Sequence, residues 1–401
     1  MPGNEERTAA LKSLAIEAID DQSDALREIS LYLKENPELS WEERLAAAKL
    51  TAYLEAQGFT VERAIGHTET AFRATRDSGR PGPAIAFLAE YDALPDVGHG
   101  CGHNLIAASA VGAAVGASAA LDQVGGKVVV MGTPSEEFTN QPPGKIRLLE
   151  AGEFAGLDAC LMLHPSTRAT PYNSSLAFMS VEVTFHGQTA HAAADPWNGR
   201  NALDGVILTF NHVSALRQHV RPEIRIHGVI KDGGVVPNII PERAVAHFIL
   251  RAPTLAQVKE LVERFKGCAE GAAEATGTTV EIDLTETVAD TRPYPTLQAL
   301  TRANHEALGV PFGPPFDSAG STDFGDVSYV CPSDCFYIDV DAGDIPWHSR
   351  EATAACSSEA GLQAMINGAK VLAMDAVDLL ANPELLARAR LEMPEQPADA
   401  E

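Results

Sequence analysis

Apolar residues recur at helical spacing over 5–35, which predicts a long opening helix. A second helix is predicted after Ser40-Trp41-Glu42-Glu43, where Ser40 and Glu43 stand at capping-box separation. The loop Asn36-Pro37-Glu38 parts them. Beyond Gly58 the pattern changes to short β-type runs at 60–64, 71–75 and 84–89, then a long uncharged stretch at 105–121 rich in Ala, Gly and Ser, then fully apolar runs at 127–131 and 159–163. The 105–121 stretch is slightly short for a bilayer and reads as a buried helix. Apolar strands alternating with helices predict an α/β domain whose mixed sheet is covered by helices on both faces.

From about Ser180 the order becomes strand (181–185), helix (201–219), strand (223–230), strand (243–251), helix (255–275) and strand (279–284). That βαββαβ order is ferredoxin-like and complete within about a hundred residues, as an inserted domain would be. The α/β character then resumes with a helix at 296–308, a β-type run at 335–340 and a last helix from 357 to about 391. The expected organisation is a catalytic domain in two parts, 1–178 and 289–393, an insertion at 179–288, and a polar, disordered tail at 394–401.

Composition narrows the function. The 401 residues carry 30 Lys plus Arg against 55 Asp plus Glu, a formal net charge of -25, with no basic stripe. Nucleic acid, which needs clustered cations, is excluded as a partner. No apolar segment follows the polar N-terminus, so neither a secretory signal nor a membrane anchor is expected, and the cytoplasm is the expected compartment. Six scattered cysteines in so long a chain do not make a disulfide framework, and each is read as free or as a ligand.

Loops at the carboxyl ends of α/β strands are where such sheets build sites. The loop after 84–89 runs Glu90-Tyr91-Asp92-Ala93-Leu94-Pro95 and then Gly98-His99-Gly100-Cys101-Gly102-His103-Asn104. A thiol and an imidazole two residues apart between glycines can reach one small volume, as metal ligation requires. The plainer alternative is a buried Cys101 and a helix-capping His103. The loop after 127–131 carries Glu136 and Glu137. Alone these read as solvated carboxylates; beside a metal, one would ligate while its neighbour moves protons. His164 follows the 159–163 run, and His348 lies in Asp344-Ile345-Pro346-Trp347-His348-Ser349. A lone histidine at such a place is more often a core or capping group. Together Cys101, His103, Glu137, His164 and His348 make five donors, which suit two metals sharing a water better than one tetrahedral ion. Cys331 and Cys335 lack a second pair and read as structural.

These runs, with Gly187-Gln188-Thr189-Ala190-His191, Val236-Pro237-Asn238 and Gly320-Ser321-Thr322-Asp323-Phe324-Gly325, resemble the aminoacylase, hippurate hydrolase and carboxypeptidase superfamily, metallopeptidase family twenty. The branch of aminobenzoyl-glutamate hydrolases is the nearest likeness, over almost the whole chain. The resemblance implies that Cys101, His103, Glu137, His164 and His348 ligate two divalent ions, zinc or manganese, that Glu136 is the general base, and that Asp92 orients a ligand. It implies that the insertion is a lid and homodimerisation domain, that His191 binds the scissile carbonyl oxygen in a partner's site, and that Asn238 and Arg251 hold a substrate carboxylate. A turn residue and a strand-end charge are the plainer readings of those last two. Glu90 stands where the wider superfamily has a histidine ligand. The lid histidines His186, His212, His219, His227 and His247 match no role and read as structural or exposed.

The activity expected is hydrolysis of the amide bond of a small N-acyl or N-aroyl amino acid or a dipeptide through a metal-bridging water, with the acyl pocket lined partly by 313–324. The alternatives are an aminohydrolase acting on an aromatic amine at the same site, and a non-catalytic small-molecule binder.

Overall fold

The structure is a computed structural model that describes residues 4–137, 141–172, 174–314 and 320–393. The 394–401 tail and the 315–319 part of the expected acyl-pocket loop lie outside the described residues. In chain order the strands are β1 (Thr60–Arg63), β2 (Phe72–Asp77), β3 (Ala84–Ala89), β4 (Lys127–Gly132), β5 (Ala159–Ser166), β6 (Ala177–His186), β7 (Arg225–Asp232), β8 (Arg243–Ala252), β9 (Thr279–Val288) and β10 (Ser333–Asp339). The helices are α1 (Asn4–Asp21), α2 (Ser23–Glu35), α3 (Arg44–Ala56), α4 (His103–Ser118), α5 (Leu121–Val124), α6 (Gly144–Glu150), α7 (Ala202–Leu216), α8 (Leu255–Thr276), α9 (Pro295–Ala307), α10 (Phe324–Ser328), α11 (Arg350–Ala355), α12 (Glu359–Ala381) and α13 (Pro383–Leu391).

Two units are distinct. The first comprises Met1–Ser174, Arg292–Ser318 and Asp326–Glu401. Its six-stranded sheet runs β1-β2-β4-β3-β5-β10, antiparallel at the β1 end and parallel from β4 to β10. Every residue of β3 is buried, so the centre of the sheet is covered on both faces, which is why these strands are continuously apolar rather than alternating. Helix α4 packs on β3, β4 and β5 and also against α1, α2 and α12. Its small residues permit this crowding: a Cβ on Gly112 would come within 2.6 Å of Leu26 Cδ1.

Two long predicted helices are each divided. The opening one breaks at Gln22, with Leu11, Ala15 and Ile19 buried before the break and Leu26, Ile29 and Leu33 buried after it. The last one breaks at Asn382, since Pro383 has no N–H and its ring clashes with the preceding turn.

The second unit comprises Ser175–Thr291 and Ala319–Gly325. Its antiparallel sheet runs β7-β8-β6-β9, with α7 and α8 on one face, the ferredoxin-like order. Met179, Val181, Val183 and Phe185 alternate onto that face and meet Val206, Val258, Phe265 and Ala269. Asn201 and Thr254 cap the two helices through backbone N–H groups of Leu203 and Gln257, and Gly277 in the left-handed region ends α8. Among the described residues no helix is long and apolar enough to cross a membrane.

Candidate metal centre

Strand order creates the site. Strand β3 lies between β4 and β5, all parallel, so the chain leaves three neighbouring strands at one edge of the sheet. Glu90 and Asp92 follow β3, and Glu136 and Glu137 follow β4. His164 lies within β5 rather than on a loop after it, since pairing with β10 continues to Ser166. Cys101 and His103 enter between β3 and α4. Gly102 makes their spacing work: its φ is +82°, and a Cβ there would lie 2.3 Å from Pro165 Cγ. Both Ser135 (φ +56°) and His348 (φ +59°) adopt the left-handed backbone that non-glycine residues avoid, flanking or carrying site groups.

The orientation of His103 follows from hydrogen-bond arithmetic. Its Nδ1 lies 2.9 Å from Asp92 Oδ1 and 3.0 Å from the Asp92 carbonyl oxygen, both acceptors, so Nδ1 carries a proton. Asp92 Oδ2 accepts from the Glu137 backbone N–H at 3.0 Å and faces the Ser40 hydroxyl at 2.9 Å. Burial works against the Asp92 charge, yet His103 and these donors hold the carboxyl down at about 2. His164 Nδ1 donates to the Pro165 carbonyl at 2.7 Å, which frees its Nε2; burial pulls this imidazole down to about 4, so it is neutral.

Donor atoms of Cys101, His103 and His164 lie within 4.8 Å of one another, as do those of Cys101, Glu137 and His348, and those of His103, Glu136 and Glu137. Cys101 Sγ is 3.5 Å from His164 Nε2, His103 Nε2 is 3.8 Å from Glu136 Oε2, and His348 Nε2 is 3.5 Å from Glu137 Oε1. The structure therefore brings these six side chains together.

The donor set fits divalent cations. His103 Nε2, Glu137 Oε1 and Glu90 Oε2 are buried and make no hydrogen bond. Burial pushes the Cys101 thiol well above its ordinary range, an effect a bound cation reverses. Burial also opposes a charge on His103, but Cys101 and Asp92 outweigh it and hold the imidazole well above its usual value. A crowd of anion-forming groups thus draws positive charge to this point.

Three positioning residues escaped the sequence reading. Ser40 and Glu43 do not form a capping box: α3 starts at Arg44, the Leu45 and Ala46 N–H groups donate to the Glu38 carboxylate, and Ser40 turns to Asp92 instead. Glu43 is fully buried, where it accepts from the Ser135 N–H at 2.8 Å and the Thr70 hydroxyl at 3.0 Å. The same two residues satisfy the capping pattern, so spacing alone misassigns them. Lys145, fully buried on α6, pairs with Glu90 Oε1 at 2.6 Å. Nothing local separates it from a surface lysine.

His191, Asn238 and Arg251 belong to the second unit. The backbone N–H groups of Ala193 and Ala194 donate to His191 Nδ1 at 3.2 and 3.1 Å, so the neutral ring carries its proton on the exposed Nε2. Asn238 is exposed beside it, its carbonyl accepting from Ala192 N–H while Ile239 bridges to His191. Arg251 is not a free surface charge: it lies over the Phe178 ring, 5.0 Å from the centroid, and donates to Ser321 Oγ at 2.7 Å. Cys331 and Cys335 are buried free thiols in and before β10 and supply no donor to these triads.

Comparison with known proteins agrees with this architecture. Residues 174–276 match the peptidase dimerisation domain of the M20 family. A mouse (Mus musculus) Xaa-Arg dipeptidase is 40% identical over 95% of this chain and 92% of its own. One of the two subunits of the Escherichia coli p-aminobenzoyl-glutamate hydrolase is 35% identical over 74% of this chain and 65% of its own. The fold superposes on a Bacillus subtilis dinuclear metal binding peptidase of the M20 family with a TM-score of 0.69, at 20% identity, covering 90% of this chain and 99% of that one. With that extent of shared sequence, the chain belongs to the M20 metallopeptidase family of metal-dependent hydrolases.

Proposed function

We propose that this enzyme hydrolyses the amide bond of a small N-acyl or N-aroyl amino acid or a dipeptide at a two-metal centre. The observation that carries the reading is the convergence of Cys101, His103, Glu137, His164 and His348 in overlapping triads around the Glu136 carboxylate. Relatives named as a dipeptidase and as a p-aminobenzoyl-glutamate hydrolase support amino-acid amides as the substrate class.

A pair of divalent cations, zinc or manganese by donor type, would supply an acidified water and a Lewis acid for the carbonyl. Cys101, His103, Glu137, His164 and His348 would hold them. Glu136 takes the proton of the attacking water and returns it to the departing amine. Asp92 keeps the His103 proton on Nδ1, and Glu43 fixes the loop that carries Glu136. The Nε2–H of His191 is suited to donate to the carbonyl oxygen of a substrate in a partner subunit, and Arg251 and Asn238 to hold the substrate's carboxylate. The insertion at 179–288 acts as lid and dimerisation module; the exposed Val229 and Ile230 on edge strand β7 support a homodimer. We assign the enzyme to the cytoplasm.

The test is a product screen with metal-reconstituted protein over dipeptides, N-acyl amino acids, aminobenzoyl-glutamate and amino-aromatics. A carboxylic acid plus an amine is expected. Ammonia as the product, or binding without turnover, overturns the reading.

A further inference from the structure

The sheet of the second unit has one helix-covered face and one polar face. The polar face carries Phe178 and Ser180 from β6, Arg251 from β8 and Glu286 from β9, with Phe178 paired to Arg251 and Ser180 to Glu286. Strict alternation along β9 would put residue 286 on the side of Ile282, which packs into the helix-covered core. A bulge prevents this. Pairing passes from Val181↔Leu284 to Ser180↔Glu286, so Thr285 is the extra residue and Glu286 turns to the polar face.

The groups between are mutually satisfied, and two charges are left over. Ser180 Oγ lies 2.6 Å from His247 Nε2, and the Thr285 hydroxyl donates to Ser180 Oγ at 2.9 Å. His247, expected to be structural, has that part here. Glu286 Oε1 is shielded from solvent and accepts no hydrogen bond. Arg251, aimed by Phe178 and Ser321, has no carboxylate of the described residues within ion-pair distance. Burial, with Asp323 adding to it, pushes the Glu286 carboxyl up to about 7, and Arg251 offsets only part of this. The surroundings of Glu286 are short of a cation.

We propose that Glu286 is a specificity residue that binds the cationic side chain of a substrate's C-terminal residue while Arg251 holds its carboxylate. This rests on the dipeptide reading above. β8 and β9 flank β6, and Arg251 is level with Phe178 while Glu286 is level with Ser180, so the two residues stand two strand spacings across and two residues along the sheet, about 12 Å between backbones, a separation suited to a long side chain such as that of arginine or lysine. A basic amino acid carries the complementary pair of charges at its two ends; neutral and acidic ones do not.

The experiment compares kcat/KM for Ala-Arg, Ala-norleucine and Ala-Glu in the full-length metal-reconstituted enzyme and in Glu286→Gln and Glu286→Lys, with calorimetric titration of free L-arginine and L-norleucine alongside. Glu286→Gln is expected to lower the Ala-Arg to Ala-norleucine ratio by about 10-fold to 100-fold, mostly through KM, the range of one lost charge-assisted contact. Glu286→Lys is expected to shift preference toward Ala-Glu. An unchanged ratio in Glu286→Gln overturns the assignment, as does equal binding of arginine and norleucine by the unaltered protein. Failure of the unaltered enzyme to cleave any dipeptide overturns the dipeptide reading on which this rests, while selective loss of arginine binding in Glu286→Gln still supports the role of Glu286.

Discussion

Glu43, at the start of α3, accepts a hydrogen bond through Oε1 from the backbone N–H of Ser135, 92 positions further along the chain and one before Glu136. Ser135 has φ +56°, so the contact holds a backbone that would otherwise relax. The first consequence concerns this link. Glu43→Ala leaves the Ser135 N–H and the Thr70 hydroxyl without their acceptor in a fully buried place, at a cost of about 1–3 kcal/mol for each. Urea unfolding should register that loss, and turnover should fall with metal still bound. Unchanged stability in Glu43→Ala would show that the loop is held by something else.

Glu136→Gln keeps the shape of the side chain but not its ability to take a proton. Turnover is expected to fall by about 100-fold to 10,000-fold with KM and metal content little changed. Substantial residual turnover removes Glu136 from the mechanism.

Cys101 contributes a donor to two triads, one with His103 and His164 and one with Glu137 and His348, so its replacement should weaken both cation positions. Cys101→Ser offers a hydroxyl, a poor ligand for soft metals, and metal content after dialysis is expected to drop. Elemental analysis decides: full stoichiometry in the variant would take Cys101 out of the ligand set.

Lys145 and Glu90 form an ion pair with both side chains wholly buried. Lys145→Met strands the Glu90 charge and should destabilise by about 3–5 kcal/mol, whereas Lys145→Met with Glu90→Gln should recover much of it. A double variant no more stable than the single one would mean the two residues do not act as a pair.

Between α9, β10 and α12, the Thr301 hydroxyl lies 2.7 Å from Asp334 Oδ2 and 2.9 Å from Asp375 Oδ2. One hydroxyl has one proton, so one of the two carboxyls must donate. Burial pushes Asp334 up to about 7 and Asp375 well above its ordinary value. The folded state therefore binds more protons than the unfolded one above about pH 4. Stability from Asp334 is complete below that pH and is lost as pH rises through about 7. Urea unfolding at pH 5 and pH 8 should show a smaller pH difference for Asp334→Asn than for the unaltered protein; an equal difference would contradict the raised value.

The order of the strands and the longer helices, the small-residue character of α4 and the βαββαβ insertion were legible in the sequence, because period and composition are local properties of segments that each bury a defined face; the short helices α5, α6, α10 and α11 were not. The motifs around Cys101, Glu137 and His164 were legible for the same reason: they sit at the ends of strongly apolar runs. What the sequence did not determine was direction and partnership. The breaks at Gln22 and Asn382, the turn of Ser40 toward Asp92 rather than a helix end, the burial of Lys145 against Glu90, and the bulge that turns Glu286 away from the core all depend on which segments meet in space. A hydrogen bond or ion pair between residues tens of positions apart leaves no periodic trace, since the same serine, glutamate or lysine serves equally well on a solvated surface. Only the tertiary packing removes water from these groups, and that removal makes their partners matter.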